Sequence, residues 1–255
     1  MKRLQTLIQE QISGDYQILV VPETASTNED LRRMAKQGAP EGTVLFAEEQ
    51  TAGRGRMGRS FFSPKGSGLY FSILLRPETA DALRLTAAAG VAVARAVKEV
   101  LGLDLQIKWV NDLYYKNKKV CGILAEGAIG ANGAFEYCVL GIGINVAAPQ
   151  GGFGDLSDKA GALLEQTDNV LRARLAASVL DHFFALYRHL GEDSFMHEYQ
   201  ARSFLQGKKI LLVQGGKEIS CVVEGISMAG ELLAVTADGQ HHAFSSGEVQ
   251  IVCID

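Results

Sequence analysis

Between residues 53 and 59 the chain reads GRGRMGR, with three glycines and three arginines in seven positions. Glycine lets a loop take conformations that other residues resist, and it lets backbone N–H groups approach a ligand closely. Arginine adds fixed charge and a fork of donors that matches phosphate or carboxylate. The expected guest of this stretch is an anion. A second cluster follows in KWVND (108–112) and KKVCGIL (118–124), where Trp109, Asn111, Asp112 and Lys119 lie close in sequence. A third, GIGIN (141–145), alternates: Ile142 and Ile144 point one way from a strand, and Gly141, Gly143 and Asn145 point the other. That second face is bare backbone ending in one amide. It suits a planar ligand, and it equally suits a packed neighbour. Ser26-Thr27-Asn28 opens a helix and so offers unpaired N–H groups at the positive end of a dipole, though a simple cap needs no ligand.

These residues must be positioned by the elements around them. Residues 26–38 read as a helix. Ser26 and Glu29 have capping-box spacing, Leu31, Met34 and Ala35 form a stripe, and Gly38 suits the stop. Residues 42–50 read as a strand running into the arginine loop, and 68–77 as a strand closed by Pro77. Residues 81–101, apolar on nearly all sides, read as a buried helix. Strand-like runs follow in LQIKWVNDLYY, KVCGILAEGAI and FEYCVLGIGINV, with Asn117 where a hairpin would turn. A long helix is predicted over 168–190 and a shorter one to about 204. After Gly207 come short strands separated by Gly, Asp and Ser turns, the texture of a small β-barrel. No internal repeat is present.

Several chemistries are disfavoured. GRGRMG formally matches G-x-G-x-x-G and follows a strand, and Glu78 stands where a ribose-binding acid would. The sequel, with Pro64, Gly66 and Gly68, runs into another strand and not into the helix a dinucleotide turn requires. No Ser-His-Asp or Cys-His set is evident. Cys121, Cys138, Cys221 and Cys253 form no C-x-x-C pair and read as small buried hydrophobes of a reducing compartment. With 25 Lys and Arg against 29 Asp and Glu, the chain has a net charge of −4, which disfavours a general nucleic-acid surface. No apolar stretch approaches the roughly 20 residues of a membrane span, and the first 15 residues lack a signal-peptide core, so a cytoplasmic protein is expected.

Taken in order, STN at 26–28, Gln50, GRGRMGR at 53–59, KWVND at 108–112, Lys119 in KKVCGIL and GIGIN at 141–145 resemble the biotin protein ligases, and SSGEV near the C-terminus suits that family's small terminal domain. The resemblance runs from about residue 20 to the end. It implies an α+β catalytic domain with a mixed sheet and flanking helices over 1–204, of the class II synthetase-like fold, and an SH3-like barrel over 205–255. It also implies the substrates, ATP and biotin with Mg2+, and the reaction. Biotinyl-5′-AMP forms with release of pyrophosphate. The biotin then passes to a lysine of the biotin carboxyl carrier domain of a carboxylase.

By resemblance, Ser26, Thr27, Asn28, Gln50, Gly53, Arg54, Gly55, Arg56, Arg59 and Lys119 bind biotin or the adenylate, with Lys119 and Arg56 catalytic. Trp109, Asn111 and Asn145 lie near the nucleotide, and Asp112 supports Mg2+. Two positions depart from the family: Met57 stands where another arginine is frequent, and Val110 replaces the usual proline. About 25 residues precede STN, fewer than a winged helix-turn-helix needs, so no DNA partner is expected; a homodimer stays open. The nearest rival is a lipoate ligase on a related fold. A non-enzymatic RNA binder with an Arg-Gly loop is a more distant rival, because no aromatic stacking surface accompanies the loop.

Overall fold

The Ala- and Val-rich run becomes the central helix of the computed structural model, which describes residues 3–130, 133 and 135–252. This helix, α3 (Ala82–Leu101), starts where the Asp81 side chain accepts from Arg84 N–H and stops at Gly102, whose φ of 71° suits glycine. It lies under a seven-stranded sheet made of β1 (Gln17–Val21), β2 (Thr43–Ala47), β3 (Gly68–Leu75), β4 (Gln106–Lys108), β5 (Asp112–Tyr115), β6 (Lys118–Ile129) and β7 (Phe135–Asn145). The spatial order is β1-β2-β3-β7-β6-β5-β4, with β1 and β2 parallel and the remaining pairs antiparallel. The mixed α+β sheet is the one expected.

Strand periodicity divides the sheet into two unlike faces. Phe71 and Ile73 of β3, Leu140, Ile142 and Ile144 of β7, and Cys121 and Ile123 of β6 join the main core with α3 and α4 (Asn169–Tyr187). On the opposite face, α2 (Thr27–Lys36) packs Leu31 and Ala35 onto Leu45, Leu74, Tyr137 and Val139. A ten-residue helix covers only part of that face. Its first turn ends over the pair Ser72–Gly141, where Thr27 and Asn28 reach Ser72; beyond that turn Tyr70 pairs with Gly143, which faces the Phe61 ring instead of a helix. The uncovered part is the floor of a cavity.

A short helix, α1 (Leu4–Gln9), buries Leu4 and Ile8 beside α4; neither it nor β1 was foreseen from the sequence. After α5 (Ser194–Arg202), a second, five-stranded antiparallel sheet occupies the region where the small barrel was expected. It comprises β8 (Lys209–Gln214), β9 (Lys217–Ile226), β10 (Leu232–Thr236), β11 (His241–Phe244) and β12 (Glu248–Ile251), in the order β11-β10-β9-β8-β12. Arg84 of α3 gathers the connection between α4 and α5 and the turn between β9 and β10 at one point. Its guanidinium, only 12% exposed, donates to the carbonyls of Leu190, Glu192 and Met228, pairs with Asp193 at 2.9 Å, and sits over the Phe195 ring. A second tether runs from the Trp109 indole N–H to the Gly230 carbonyl, at 2.8 Å.

Two local expectations are corrected. LQIKWVNDLYY is not one strand: β4 and β5 form an antiparallel pair, Lys108 opposite Asp112, with 109–111 as the connection. The connecting groups find tertiary partners, since Asn111 Nδ2 donates to the Ile123 carbonyl and the Tyr199 hydroxyl to the Val110 carbonyl. The Ser26–Glu29 capping box does not form either. Ser26 makes no side-chain cap bond, and Gln50 Oε1 accepts from the Thr27 N–H at 2.9 Å instead. Asn117 does turn a hairpin between β5 and β6, with φ of 62° beside Lys116 at 48°. Cys121, Cys138 and Cys221 are buried free thiols, as expected; Cys253 lies outside the described residues. Among the described residues no helix is long and apolar enough to cross a membrane.

The latch gives a stability prediction. Arg84→Ala strands the Leu190 and Glu192 carbonyls of the α4–α5 connection and the Met228 carbonyl of the β9–β10 turn, and removes charge-assisted bonds worth roughly 1.5–3 kcal/mol each before water compensates. A net loss of about 2–4 kcal/mol is expected, or a Tm lower by roughly 5–10 °C for a chain of this size. A melting curve within a degree of the parent would show that Arg84 does not hold these connections together.

Candidate active site

The floor of the cavity is built from absent side chains. Gly122 of β6 pairs with Gly143 of β7, and Leu124 with Gly141, so backbone faces upward in the middle of the sheet. A Cβ on Gly141 would lie 2.2 Å from Asn28 Oδ1, and one on Gly143 would lie 2.5 Å from the Phe61 ring. Both contacts are closer than any side chain tolerates, so these positions require glycine for approach and not for conformation. The planar-face and packed-neighbour readings of GIGIN meet here, because the neighbours themselves line the cavity. Its volume is about 640 Å³, within the usual range for small-molecule sites.

At one end sit Ser26, Thr27 and Asn28, all buried. The Thr27 N–H and hydroxyl both donate to Gln50 Oε1, and Gln50 Nε2 donates to Ser63 Oγ. Asn28 Nδ2 donates to Glu126 Oε2 at 3.0 Å, while Asn28 Oδ1 accepts from Ser72 Oγ at 2.6 Å. Each amide is thereby oriented by a second group, as a buried polar network requires. The segment carrying Gln50 is fixed in turn by Glu48, which pairs with the buried Arg172 of α4 at 2.8 Å.

The arginine loop crosses the mouth as a narrow hairpin. Gly55 N–H donates to the Arg59 carbonyl and Phe61 N–H to the Gly53 carbonyl, and the tip turns at Met57 and Gly58, whose φ values are 56° and 74°. Gly53 itself does not line the cavity; a Cβ there would strike the Phe61 carbonyl at 2.4 Å, so it shapes the hairpin. The three arginines diverge. Arg54 pairs with Glu29 at 2.8 Å and Glu126 at 3.1 Å. Arg56 turns inward and donates to Asn111 Oδ1 at 3.3 Å. Arg59 pairs with Glu248 of β12 and so ties the loop to the second sheet.

The far end of the cavity is cationic. Lys119 pairs with Asp112 at 2.6 Å, and its ammonium passes over Gly122, where a Cβ would lie 3.3 Å from Nζ. Lys108 lines the same wall. Burial holds both the Arg56 guanidinium and the Lys108 ammonium below their ordinary pKa values, although Asp112 opposes the shift in each, and Lys119 and Arg59 repel Lys108 further. Desolvated cations crowded around one carboxylate favour a further negative charge. Asn145 Nδ2 donates to the Gly161 carbonyl at 2.9 Å, anchoring the 149–161 segment whose Phe153 and Leu156 close that side. Trp109 touches the cavity but spends its indole N–H on Gly230.

Ser26, Thr27, Asn28, Gln50, Arg54, Gly55, Arg56, Arg59, Trp109, Asn111, Asp112, Lys119 and Asn145 thus line a single cavity. Sequence reasoning missed Phe61, Ser72, Lys108 and Glu126. Ser72 had a signal, as the lone hydroxyl within the buried run LYFSILL, and Lys108 stood inside a motif already singled out. Glu126 had none. Among the described residues no group of three His, Cys, Asp or Glu side chains could hold a metal ion. Asp112, expected to support Mg2+, pairs with Lys119 through one carboxylate oxygen, Oδ1, at 2.6 Å. The described lining offers no set of carboxylates that would enclose Mg2+ without the phosphates of a bound nucleotide.

The family description "Biotin/lipoate A/B protein ligase family" matches residues 20–145, and "Biotin protein ligase C terminal domain" matches 207–252. The bifunctional ligase/repressor BirA of Escherichia coli is 31% identical, over 97% of this chain and 79% of its own length. The biotin--[acetyl-CoA-carboxylase] ligase of Mycobacterium tuberculosis is 31% identical, over 93% of this chain and 90% of its own. BirA of Bacillus subtilis is 34% identical, but the match spans about half of that relative, 54%. The biotin protein ligase of Aquifex aeolicus, solved in complex with biotin and ATP, superposes with a TM-score of 0.77 at 30% identity, covering 92% of this chain and 98% of the other. Similarity over nearly the whole length, covering both sheets, shows that this chain belongs to the biotin/lipoate A/B protein ligase family, on the biotin protein ligase side of it.

Proposed function

We propose that the chain is an ATP-dependent biotin protein ligase. The observation that carries the reading is the polarity of one cavity: oriented amides and hydroxyls at one end, a glycine floor, and Arg56, Lys108 and Lys119 at the other. A neutral ring system with hydrogen-bonding edges suits the first end, and the meeting of a carboxylate with a triphosphate suits the second.

In the first step a biotin carboxylate oxygen bonds to the α-phosphorus of ATP while the bond to the bridging oxygen breaks, and pyrophosphate leaves. Two anions must be pressed together, so the protein's contribution is position and positive charge, not a nucleophile. Thr27, Asn28 and Gln50 hold the ring. Lys119 and Arg56 neutralise charge where carboxylate and phosphate meet, and Asn145 and Trp109 border the nucleotide. In the second step the neutral ε-amine of a carrier lysine attacks the acyl carbon, AMP leaves, and the amine loses a proton. The carrier is the biotin carboxyl carrier domain of a biotin-dependent carboxylase. Magnesium would screen the phosphates when bound. The family description also embraces lipoate ligation; pyrophosphate release with biotin and not with lipoate decides between them.

Lys119→Ala is expected to slow biotin-dependent pyrophosphate release more than it weakens biotin binding. A charge-assisted contact made in the transition state is worth about 2–4 kcal/mol, or roughly 30- to 1,000-fold in rate. Release at the parent rate would remove Lys119 from the chemistry.

Arg56→Gly is expected to keep the first step measurable while losing its product. Each phosphate contact removed weakens retention by roughly 1.5–3 kcal/mol, and the escaped mixed anhydride then acylates bystander amines. Adenylate dissociation and labelling of albumin are the readouts. Labelling confined to the carrier, with unchanged dissociation, would contradict a retaining role for the loop.

A further inference from the structure

Glu126 stands at a junction that the reaction chemistry leaves unexplained. It lies on β6 opposite Val139, at the border between the packing of α2 and the glycine floor. Its side chain is only 21% exposed. One carboxylate oxygen, Oε2, accepts from Asn28 Nδ2 at 3.0 Å; the other, Oε1, pairs with Arg54 at 3.1 Å and lies 4.0 Å from Arg32. A single carboxylate therefore joins the amide at the buried end of the cavity to the first arginine of the loop across its mouth.

Resting on the reading of the site as a biotin ligase, we propose that Glu126 is a positioning residue: it sets the Asn28 amide and the arginine loop as one unit, so that a ring correctly seated on Asn28 finds the loop already in register. Three observations support this. Asn28 is buried, and its amide has a fixed sense because Ser72 Oγ bonds Oδ1 from the other side. A buried amide held at both ends transmits orientation where a free one would rotate. Arg54 has a second partner, Glu29, but Glu29 is 52% exposed and its contribution is discounted by solvent. The far strand of the loop hairpin is tied separately to the same helix start, because Gln50 bonds both Thr27 and Ser63, and Ser63 Oγ donates to the Phe61 carbonyl. Both strands of the hairpin thus lead back to the start of α2, one through Gln50 and the other through Arg54, whose less exposed ionic partner is Glu126. It touches no reacting atom in this scheme; it acts through Asn28 and Arg54.

The test uses the full chain and separates charge from hydrogen bonding. Glu126→Gln keeps an acceptor for Asn28 but discards the ion pair; Glu126→Ala discards both. Steady-state pyrophosphate release should show kcat down about tenfold with biotin KM within threefold for Glu126→Gln, and both parameters impaired for Glu126→Ala. Arg54→Gln should match the kcat loss, and combining it with Glu126→Gln should add less than twofold. Losses that multiply, or wild-type kinetics in both Glu126 variants, overturn the proposal. A ligand-independent readout keeps it separate from the assigned activity. Brief trypsin exposure with mass-spectrometric detection should show cleavage after Arg54 and Arg56 at least threefold faster in Glu126→Gln than in the parent, at equal Tm. Equal cleavage rates overturn the coupling whatever the enzyme activates. If the parent releases no pyrophosphate with biotin yet the cleavage rates differ, the assigned reaction fails and the coupling stands.

Discussion

The structure depends on a stretch of sheet left without a helix. In a two-layer α+β fold both faces of a central sheet must be buried or wetted. Here α3 and α4 pack on one face, while α2 covers only part of the other: its first turn ends at Asn28 over Gly141, and Gly122 and Gly143 lie beyond it. Large side chains there would fill the space and give a thicker core. Glycines leave a flat surface at the base of a cavity, and everything that makes the cavity selective is brought in from outside the sheet: the start of α2, the arginine hairpin, the 149–161 segment and the edge of the second sheet.

That arrangement explains how an acidic chain keeps a cationic site. Arg54, Arg59 and Lys119 are each met by a carboxylate from another element, Glu126, Glu248 and Asp112 respectively. These pairings give the loop a defined course over the mouth. They are partly exposed and individually modest, so an incoming anion of higher charge can compete for the same donors. Arg56 and Lys108 are the exceptions: each is desolvated, and neither is in an ion pair within 4.0 Å among the described residues. The proposed activation chemistry needs unspent positive charge at the place where two anions meet, and these side chains supply it.

The second sheet contributes to the cavity and is not a passive appendage. Glu248 holds Arg59, Gly230 accepts from Trp109, and residues 247–250 line one wall. Arg84 of α3 reaches that sheet through the Met228 carbonyl, whose position does not depend on a side-chain rotamer.

The sequence by itself determined the periodic elements and the motif residues. The alternation in GIGIN set which side of β7 is core, the apolar run of 81–101 set the buried helix, and Asn117 set a hairpin, because each rests on local geometry that repeats every two or 3.6 residues or on one turn. It also brought the motif residues together by resemblance. What only the tertiary structure decided is which partner each polar group takes. The Ser26–Glu29 box was locally reasonable, yet Gln50 capped the helix from 23 residues away and Glu29 went to Arg54. The strand through Trp109 broke into a hairpin because Ile123, Tyr199 and Gly230 offered partners for the backbone and side chains of its turn. Glu126 looked like any acid in a half-buried strand until β6 placed it between Asn28 and Arg54. A hydrogen bond or ion pair is satisfied by whatever the fold brings within about 3 Å, and distance along the chain carries no record of that.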